Sequence, residues 1–365
     1  MMIKELHIKN FRCFKNTLAS GFKNINLIGG TNNAGKTALL EAILLTYFPS
    51  PGTISILREL RNESDSMIAE DTERVWNYFF YQQEKDNQIE LTSKTIDDLL
   101  INININCIND IKSVIDDIVD THSDRQERIS DLLQSKFSNT TLLHINGGTS
   151  YSSYNYYLLP DKDDADLGAI GKTPSSSEIP PFIHSTFRLN DKRLTSLYSK
   201  TKEKKKINSF NNILKLIDKT IIGSEIDTPG GEPKLNLLLD DETSLPLDMF
   251  GDAVRKIAEI SLVLLNTTSP IILIDEIENG IHFTKHKEVW SYLFDIIGDS
   301  SQIFATSHSA EMIKAFNDMS FEKQMESRAM YFEMSRLSSS KIIVNPIDMD
   351  MLRYEIRTNN SYRGE

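Results

Sequence analysis

The sequence predicts an α/β protein built on a mostly parallel sheet that an inserted segment interrupts. Three short apolar runs near the two ends of the chain have the continuity expected of strands buried on both faces. They lie in "INLIGG" (25–30), "PIILIDE" (270–276) and "SQIFATSHS" (301–309). A stretch of helical character follows each run, and strands that alternate with helices are typical of a parallel sheet.

The first strand and the first helix are predicted from the N-terminal part of the chain. Apolar residues that alternate with charged ones predict an early strand with one buried face. These apolar residues are Ile3, Leu6, Ile8 and Phe11. The segment "TALLEAILLTYF" (37–48) is apolar on nearly every side, so a buried helix is predicted, and "PSPG" (49–52) ends it.

The middle of the chain, between residues 62 and 246, is polar and rich in asparagine. Alternation at 101–106 predicts a half-buried strand. Helical patterns recur at 111–118, 129–133 and 207–217. The segments 161–168 and 171–181 are predicted to be exposed loops. The chain is therefore divided into a head (1–60 and 236–365) and an inserted lobe of helical segments and exposed loops (61–235).

Regular patterns return after Pro246. Helices are predicted at "FGDAVRKIAEISLVLL" (250–265), "FTKHKEVWSYLFDIIG" (283–298) and "SAEMIKAF" (309–316), the last with Ser309 as its N-cap. "DMD" (348–350) imitates a two-acid metal motif, but it is predicted to be a loop before the final helix, "MLRYEIR" (351–357).

Composition limits the function classes. The chain has 365 residues, of which 39% are hydrophobic and 25% charged, as in soluble globular proteins. Its net charge of −12 argues against a protein that coats nucleic acid by charge alone. The two cysteines, Cys13 and Cys107, provide neither a disulfide framework nor zinc-ligand spacing. The N-terminus lacks a signal peptide and no run is long enough to span a bilayer, so a cytoplasmic location is expected.

A phosphate-binding loop is predicted between the second strand and the first helix. The residues from Gly30 to Thr37 match GxxxxGK[ST], and the flanking strand and helix give the context that this motif requires. The loop residues predicted to surround phosphate oxygens are Gly30, Asn32, Asn33, Ala34 and Gly35. Lys36 is expected to reach the β- and γ-phosphates, and Thr37 to ligate Mg²⁺. ATP and Mg²⁺ are therefore the expected cofactors.

Residues that follow two other buried strands are predicted to complete the site for ATP hydrolysis. Asp275 follows an apolar run and is predicted to hold the magnesium, as a Walker B acid does. Glu276 is positioned to orient and deprotonate an attacking water. His308 follows the next buried strand, where its side chain is predicted to hydrogen-bond the γ-phosphate.

These motifs, in this order, resemble the ATP-binding-cassette class of ATPase heads, which includes the SMC, Rad50 and RecF proteins. The nearest branch is the AAA15 or OLD-like one. The resemblance is carried by "IKNFRCFKN", "GGTNNAGKTALLEAI", "LPLDMFGDAVRKIAEI", "ILIDEIENGIHFTKH" and "QIFATSHSAEMIKAF". It implies a head with a mixed sheet, and an inserted α-rich or α+β segment between the Walker A loop and the signature motif.

The resemblance also implies that two heads sandwich two ATP molecules as a homodimer or a higher oligomer. The signature position is "DMFGD" (248–252), in which Gly251 is retained while Met249 and Phe250 replace a serine and a first glycine. Asn279 matches the D-loop position and is expected to cross the dimer interface. Arg12 lies where such heads place a nucleotide-contacting arginine. For the glutamine lid, Gln82 or Gln83 is possible, but no clear motif marks it.

Three functions compete. The first is an ATP-dependent switch or scaffold that controls a separately encoded effector, such as a Toprim-type nuclease, as the resemblance to phage-defence ATPases suggests. The second is a DNA-repair ATPase of the RecF or Rad50 kind, for which the acidic composition is unfavourable. The third is a transporter subunit, which would need an intact signature. A nuclease within this chain is disfavoured because 57 residues follow His308, fewer than the roughly 100 of a further domain.

The lysine run at 200–206 is the dense basic patch of the sequence. The favoured interpretation of this run is a solvated helix end or turn, and the alternative is a contact to DNA or to an acidic partner. Nucleic-acid binding therefore stays open at this point.

Overall fold

The computed structural model describes residues 2–61, 75–109, 114, 141–160, 167–174, 179–185, 188–338 and 341–358. Its strands are β1 (Ile3–Phe11), β2 (Phe14–Ser20), β3 (Ile25–Gly30), β4 (Ile89–Thr95), β5 (Leu100–Ile108), β6 (Leu142–Gly148), β7 (Ser153–Pro160), β8 (Leu167–Lys172), β9 (Phe182–Ile183), β10 (Ile221–Asp227), β11 (Lys234–Leu239), β12 (Ser244–Pro246), β13 (Ile271–Ile274), β14 (Gln302–Thr306), β15 (Ala329–Ser338) and β16 (Lys341–Ile347). Its helices are α1 (Lys36–Tyr47), α2 (Pro51–Glu59), α3 (Asp191–Glu203), α4 (Ile207–Ile217), α5 (Asp252–Asn266), α6 (His286–Ile296), α7 (Ala310–Glu322) and α8 (Met349–Thr358). The predicted α/β class is confirmed.

One sheet carries the predicted phosphate loop. Its strand order is β16-β15-β3-β14-β13-β9, in which the neighbours from β15 to β9 are parallel and the edge strand β16 is antiparallel. Parallel strands end at the same edge of a sheet, so the residues that follow β3, β13 and β14 are brought together there. The sheet is mixed, as expected.

The sheet is buried on both faces, which explains its apolar runs. Along β3, Ile25 and Leu27 pack into a core formed with α4, α5, α6 and α7, whereas Ile28 faces a second core around α1. The helix α1 is buried on nearly every side, as its sequence predicted. It lies between this sheet and a second sheet, of order β2-β1-β4-β5-β6-β7-β8.

The sheets cross the predicted border between head and inserted lobe. From the proposed lobe, β4 pairs with β1, and β9 pairs with β13. A small sheet, β10-β11-β12, spans residues on both sides of position 236. The division into head (1–60 and 236–365) and lobe (61–235) therefore stays a prediction, and the sheets do not follow its boundaries.

Several local predictions for the middle of the chain can be compared with the structure. The alternating segment 101–106 lies within β5, and the pattern at 207–217 forms α4. The pattern at 129–133, and that at 111–118 apart from Val114, lie outside the described residues. The two predicted loops were wrong at residues 167–168 and 171–172, which belong to β8 because β7 supplies a hydrogen-bonding partner that no local pattern identifies.

Near the C-terminus the predicted N-cap is confirmed, whereas the predicted loop at 348–350 is wrong at its last two residues. The Ser309 hydroxyl accepts a hydrogen bond from the Met312 amide at 3.2 Å and caps α7. Asp348 accepts a hydrogen bond from the Met351 amide at 2.8 Å and precedes α8, but Met349 and Asp350 already belong to that helix, because this bond lets it begin directly after Asp348. Within the described ranges, no helix combines the length and the apolarity that crossing a membrane requires.

Candidate active site

The loop after β3 has a backbone that only glycine permits at two positions. Gly30 (φ 129°) and Gly35 (φ 97°) lie in the left-handed region. A Cβ on Gly30 would come within 2.0 Å of the Met334 carbonyl oxygen, and one on Gly35 within 2.7 Å of Cys13 Sγ. Gly35 is also the N-cap of α1 and provides no side-chain cap. The loop is therefore a cradle that ends at an uncapped helix N-terminus, which is a favourable site for an anion.

Lys36 is folded back across this loop. Its ammonium donates hydrogen bonds to the carbonyl oxygens of Gly30 (2.8 Å) and Thr31 (2.9 Å). Burial lowers the pKa of Lys36 to about 8, and the nearby carboxylates of Asp275, Glu278 and Glu276 oppose that shift. A phosphate in the loop would bring the negative charge that stabilises the charged form of this lysine.

Asp275 ties the loop to the neighbouring strands. Its Oδ2 accepts a hydrogen bond from Thr37 Oγ1 at 2.8 Å, and its Oδ1 accepts one from Thr306 Oγ1 at 2.5 Å. A hydroxyl and a carboxylate thus meet at the end of the phosphate loop, and such oxygen donors suit Mg²⁺. The residues present therefore fit the ion that the sequence predicts.

Glu276 and His308 form the solvent-facing part of the site. Glu276 has a φ of 48°, and its amide donates to Thr306 Oγ1 at 2.8 Å. Its carbonyl oxygen accepts hydrogen bonds from the Asn279 amide (2.9 Å) and from Lys256 Nζ (3.0 Å). Its carboxylate Oε1 is 3.8 Å from His308 Nε2, and the two side chains are 39% and 36% exposed, respectively. The backbone is constrained at Glu276, and both titratable side chains line the same cleft as the phosphate loop.

Three residues that support this pair were missed in the sequence. Thr306 joins Asp275 to the Glu276 amide, and Glu278 Oε1 accepts a hydrogen bond from the His308 amide at 2.5 Å. Lys256 belongs to α5. Burial lowers the pKa of its side chain, and the carboxylates of Glu278, Glu276 and Asp275 oppose that shift. A threonine at the end of a buried strand was a detectable signal, whereas nothing local marks Lys256.

The phosphate loop, Glu276 and His308 line one open cleft of about 1040 Å³. From the predicted set it contains the loop residues Asn32 to Thr37, together with Arg12, Glu276 and His308. Asp275 is buried behind Thr37. Gln82 and Gln83 are exposed and are not among the residues that line the cleft.

Arg12 lines the cleft, but its side chain is only 6% exposed and its guanidinium is held by other groups. It donates from Nε to Glu41 Oε2 at 2.7 Å, from Nη1 to the Tyr78 carbonyl at 2.9 Å and from Nη2 to the Leu57 carbonyl at 3.1 Å. Direct contact between Arg12 and a nucleotide stays a prediction, since these bonds already give the side chain a structural role.

Gly251 and Asn279 lie on neighbouring loops outside the lining of the cleft. Gly251 is the N-cap of α5, and no atom lies within 4 Å of the Cβ that a side chain would add there. The adjacent Asp252 packs on the loop of Asn279, since its Cβ is 3.3 Å from the Cβ position of Gly280. Neither Gly251 nor Asn279 is among the cleft-lining residues, and Met249 beside them is 74% exposed.

The chain is similar in sequence to known ATPases. A family model described as AAA ATPase domain, AAA_15, matches residues 1–313. A Helicobacter pylori protein named ATP/GTP phosphatase is 24% identical over 349 residues, which cover 91% of this chain and 92% of that protein. A DNA double-strand break repair Rad50 ATPase of Archaeoglobus fulgidus is 46% identical over 48 residues, only 13% of this chain and 5% of the relative.

Solved structures of SMC heads also align with the chain. The SMC head domain from Thermotoga maritima has a TM-score of 0.48 at 11% identity and covers 95% of this chain and 100% of that one. An SMC head bound to the C-terminal domain of ScpA, derived from Pyrococcus furiosus, has a TM-score of 0.49 at 9% identity, covering 98% and 99%.

Proposed function

Because the chain belongs to the AAA_15 family of AAA ATPase domains, we propose that it is an ATP-hydrolysing switch or scaffold whose two copies close on nucleotide to control a separate effector. The chain is an ATPase. The observation that carries the proposal is the convergence of Lys36, Thr37, Glu276 and His308 on one cleft, with Asp275 bonded behind them.

Each side chain has a chemical task in this proposal. Lys36 leaves the loop carbonyls to bind the β- and γ-phosphate oxygens, which the uncapped N-terminus of α1 also favours. Thr37 and Asp275 would hold Mg²⁺, which supplies charge neutralisation at the phosphate oxygens when it is bound. Glu276 orients the attacking water and removes its proton, and His308 donates a hydrogen bond to the γ-phosphate.

The exposure of the hydrolytic pair supports a role for a second copy. Glu276 and His308 are each more than a third exposed, so bulk water reaches the place where charge develops. Fixed dipoles in a water-excluded site stabilise such charge far better than an open cleft does. The N-terminus of α5 at Gly251 has open space around it and no side-chain cap. The α5 N-terminus of the second copy is therefore suited to cover the hydrolytic pair of the first. Asn279 lies on the neighbouring loop and would cross the interface with it.

The altered signature predicts slow turnover. Met249 and Phe250 replace the serine and first glycine of the resembling heads, so the hydroxyl that would meet the γ-phosphate is missing. In this proposal, ATP occupancy lasts long enough to act as the signal. Such a switch works only if ATP favours the closed form over the open one, because equal affinity for both would shift nothing.

The effector is proposed to be a separate protein, such as a Toprim-type nuclease, and the setting to be anti-phage defence. Asp348 caps α8 and Asp350 lies in its first turn, so the one acidic motif that imitates a nuclease supports a helix instead. Direct action on DNA is not favoured, since the net charge is −12 and Lys204, from the basic run, donates to the Asn266 carbonyl at 3.1 Å.

A plaque assay tests the defence proposal. Cells that express the wild-type gene with its genomic neighbours should form fewer phage plaques than cells that carry Lys36→Ala in the same operon. Lys287→Met is a matched control, because this exposed lysine pairs with Asp318 and Glu322 away from the cleft. Equal plaque counts for the wild type and Lys36→Ala, across a phage panel, would contradict defence and leave the ATPase assignment intact.

Lys256→Met should lower kcat by about 10- to 100-fold, since misplacement of a catalytic group by about 1 Å can cost this much. The reason is that Lys256 Nζ holds the Glu276 carbonyl and so restrains a residue with a φ of 48°. The affinity for ATP should not change, and Lys256→Arg should restore part of kcat. Steady-state kinetics and binding measured separately check this, and a loss of affinity that matches the loss of kcat would contradict a positioning role.

A further inference from the structure

The cleft extends past the phosphate loop to a wall that has no task in the proposed reaction. In the strand order, β13 and β14 lie on one side of β3, and β15 lies on the other. Glu276 and His308 follow the first two strands. Arg336 lies in β15 two residues beyond Met334, which pairs with Gly30, and it lines the same cleft. The cleft therefore crosses the carboxyl end of β3, from the hydrolytic pair to a second wall.

Tyr78 is an aromatic residue connected to this wall through Arg12, which donates to the Tyr78 carbonyl and whose neighbour Cys13 interacts with Arg336. It lines the cleft, and it is 50% exposed, whereas the next two residues, Phe79 and Phe80, are buried. Burial in the core therefore does not account for the Tyr78 ring.

The backbone that carries Tyr78 is held firmly. Arg12 Nη1 donates to the Tyr78 carbonyl, and the Arg12 amide donates to the Phe79 carbonyl at 2.8 Å. The Arg12 guanidinium also lies 4.4 Å from the centre of the Phe79 ring, and Phe80 forms a bridge with Phe11 of β1. Arg12 thus connects the phosphate-loop helix, through Glu41, to the segment that presents Tyr78.

The direction of a bound triphosphate follows from the two walls. Its terminal phosphate must reach Glu276 and His308 for hydrolysis, so the nucleoside extends away from that pair, along the part of the cleft that Arg336 and Tyr78 line. An aromatic ring stacks on a nucleobase, and a guanidinium in the same cleft adds a favourable contact with the base or the phosphates.

Resting on the proposed function, we propose that Tyr78 is the stacking platform for the purine base, and that it binds adenine and guanine alike. Stacking uses the face of a base, which every base offers, and not the edge at which adenine and guanine differ. Arg12 is then a positioning residue that holds the platform. The substrate class of the site is purine nucleoside triphosphates in general.

Calorimetric binding of ATP, GTP and inorganic tripolyphosphate tests this inference. Tyr78→Ala should weaken ATP and GTP binding by similar factors of about 10- to 100-fold, the range seen when one stacked aromatic side chain is removed. Its binding of tripolyphosphate should not change, because the phosphate loop is intact. Tyr78→Phe should bind like the wild type. Tyr151→Ala is the matched control, since this tyrosine is 89% exposed and lies outside the cleft.

The outcomes separate this inference from the proposed function. Unchanged affinity of Tyr78→Ala for both nucleotides overturns the stacking role, and an effect on one nucleotide alone overturns the tolerance for both bases. An equal loss of tripolyphosphate binding would mean that the substitution damaged the loop, which also contradicts the inference. If the wild-type protein binds tripolyphosphate but neither nucleotide, the proposed function fails as well.

Discussion

Lys36→Ala is expected to weaken ATP binding by about 100-fold or more, since charge-assisted hydrogen bonds to phosphate are among the strongest polar contacts. Lys36 is buried at the loop, where its ammonium already bonds to the carbonyl oxygens of Gly30 and Thr31. Without it, nothing in the loop supplies a full positive charge to the β- and γ-phosphates. Calorimetric titration with ATP measures this loss, and retained wild-type affinity would refute the phosphate-loop assignment.

Lys36→Met separates the charge from the packing of the side chain, because methionine keeps an apolar stem of similar length. Its thermal unfolding should stay close to that of the wild type, while its ATP binding should be weakened as in Lys36→Ala. The affinity of the wild type for ATP should also depend on pH. Since the pKa of Lys36 in the free protein is about 8, its charge decreases as the pH rises through 8, and the affinity for ATP should fall over the same range. Lys36→Met should lack that decrease, and a parallel decrease in both proteins would assign it to another group.

Glu276→Gln should lower the rate of ATP hydrolysis by about 100- to 10,000-fold, the contribution typical of a general base. Glutamine keeps the size of the side chain but cannot take a proton from water. Nucleotide binding should persist, because Lys36, Thr37 and Asp275 are unchanged. The ATP-bound form should then accumulate as a complex of two copies. Light scattering with ATP, compared with ADP, measures the mass of that complex.

Glu322→Gln is the control for this experiment, since Glu322 is an exposed carboxylate paired with Lys287 on the outside of α7. It should hydrolyse ATP at the wild-type rate and show no added accumulation of the complex. If Glu276→Gln stays monomeric with saturating ATP, closure of two heads is wrong, although the ATPase assignment stands. If it hydrolyses ATP at the wild-type rate, Glu276 is not the general base.

The resemblance to SMC- and Rad50-related ATPase heads was established by motifs of a few residues each. The AAA_15 match over residues 1–313 confirms it, and the parallel order β15-β3-β14-β13-β9 confirms the α/β class. These features could be predicted because each depends on neighbours in the chain. A glycine loop, an apolar run and an N-cap such as Ser309 specify local backbone with little help from distant residues.

The residues around the site were less predictable. Lys256 reaches the Glu276 carbonyl from 20 residues earlier in the chain, and Glu278 holds the His308 amide across 30 residues. Arg12 matched a family position, yet its guanidinium is held by Glu41 and two carbonyl groups in the folded chain. Contacts of this kind leave no periodicity or spacing in the sequence, because they arise only when separate elements pack.

Local sequence and tertiary packing also determined different features of the whole molecule. The phosphate loop, the buried strands and the amphipathic helices follow from local backbone preference and from the burial of apolar side chains, which act over a few residues. Tertiary packing decided that β4 joins β1 across the predicted border of the inserted lobe. It also decided that Tyr78 is presented at the wall of the nucleotide cleft. The physical reason is that strand order and side-chain exposure depend on which distant surfaces meet, and that information belongs to the assembled fold.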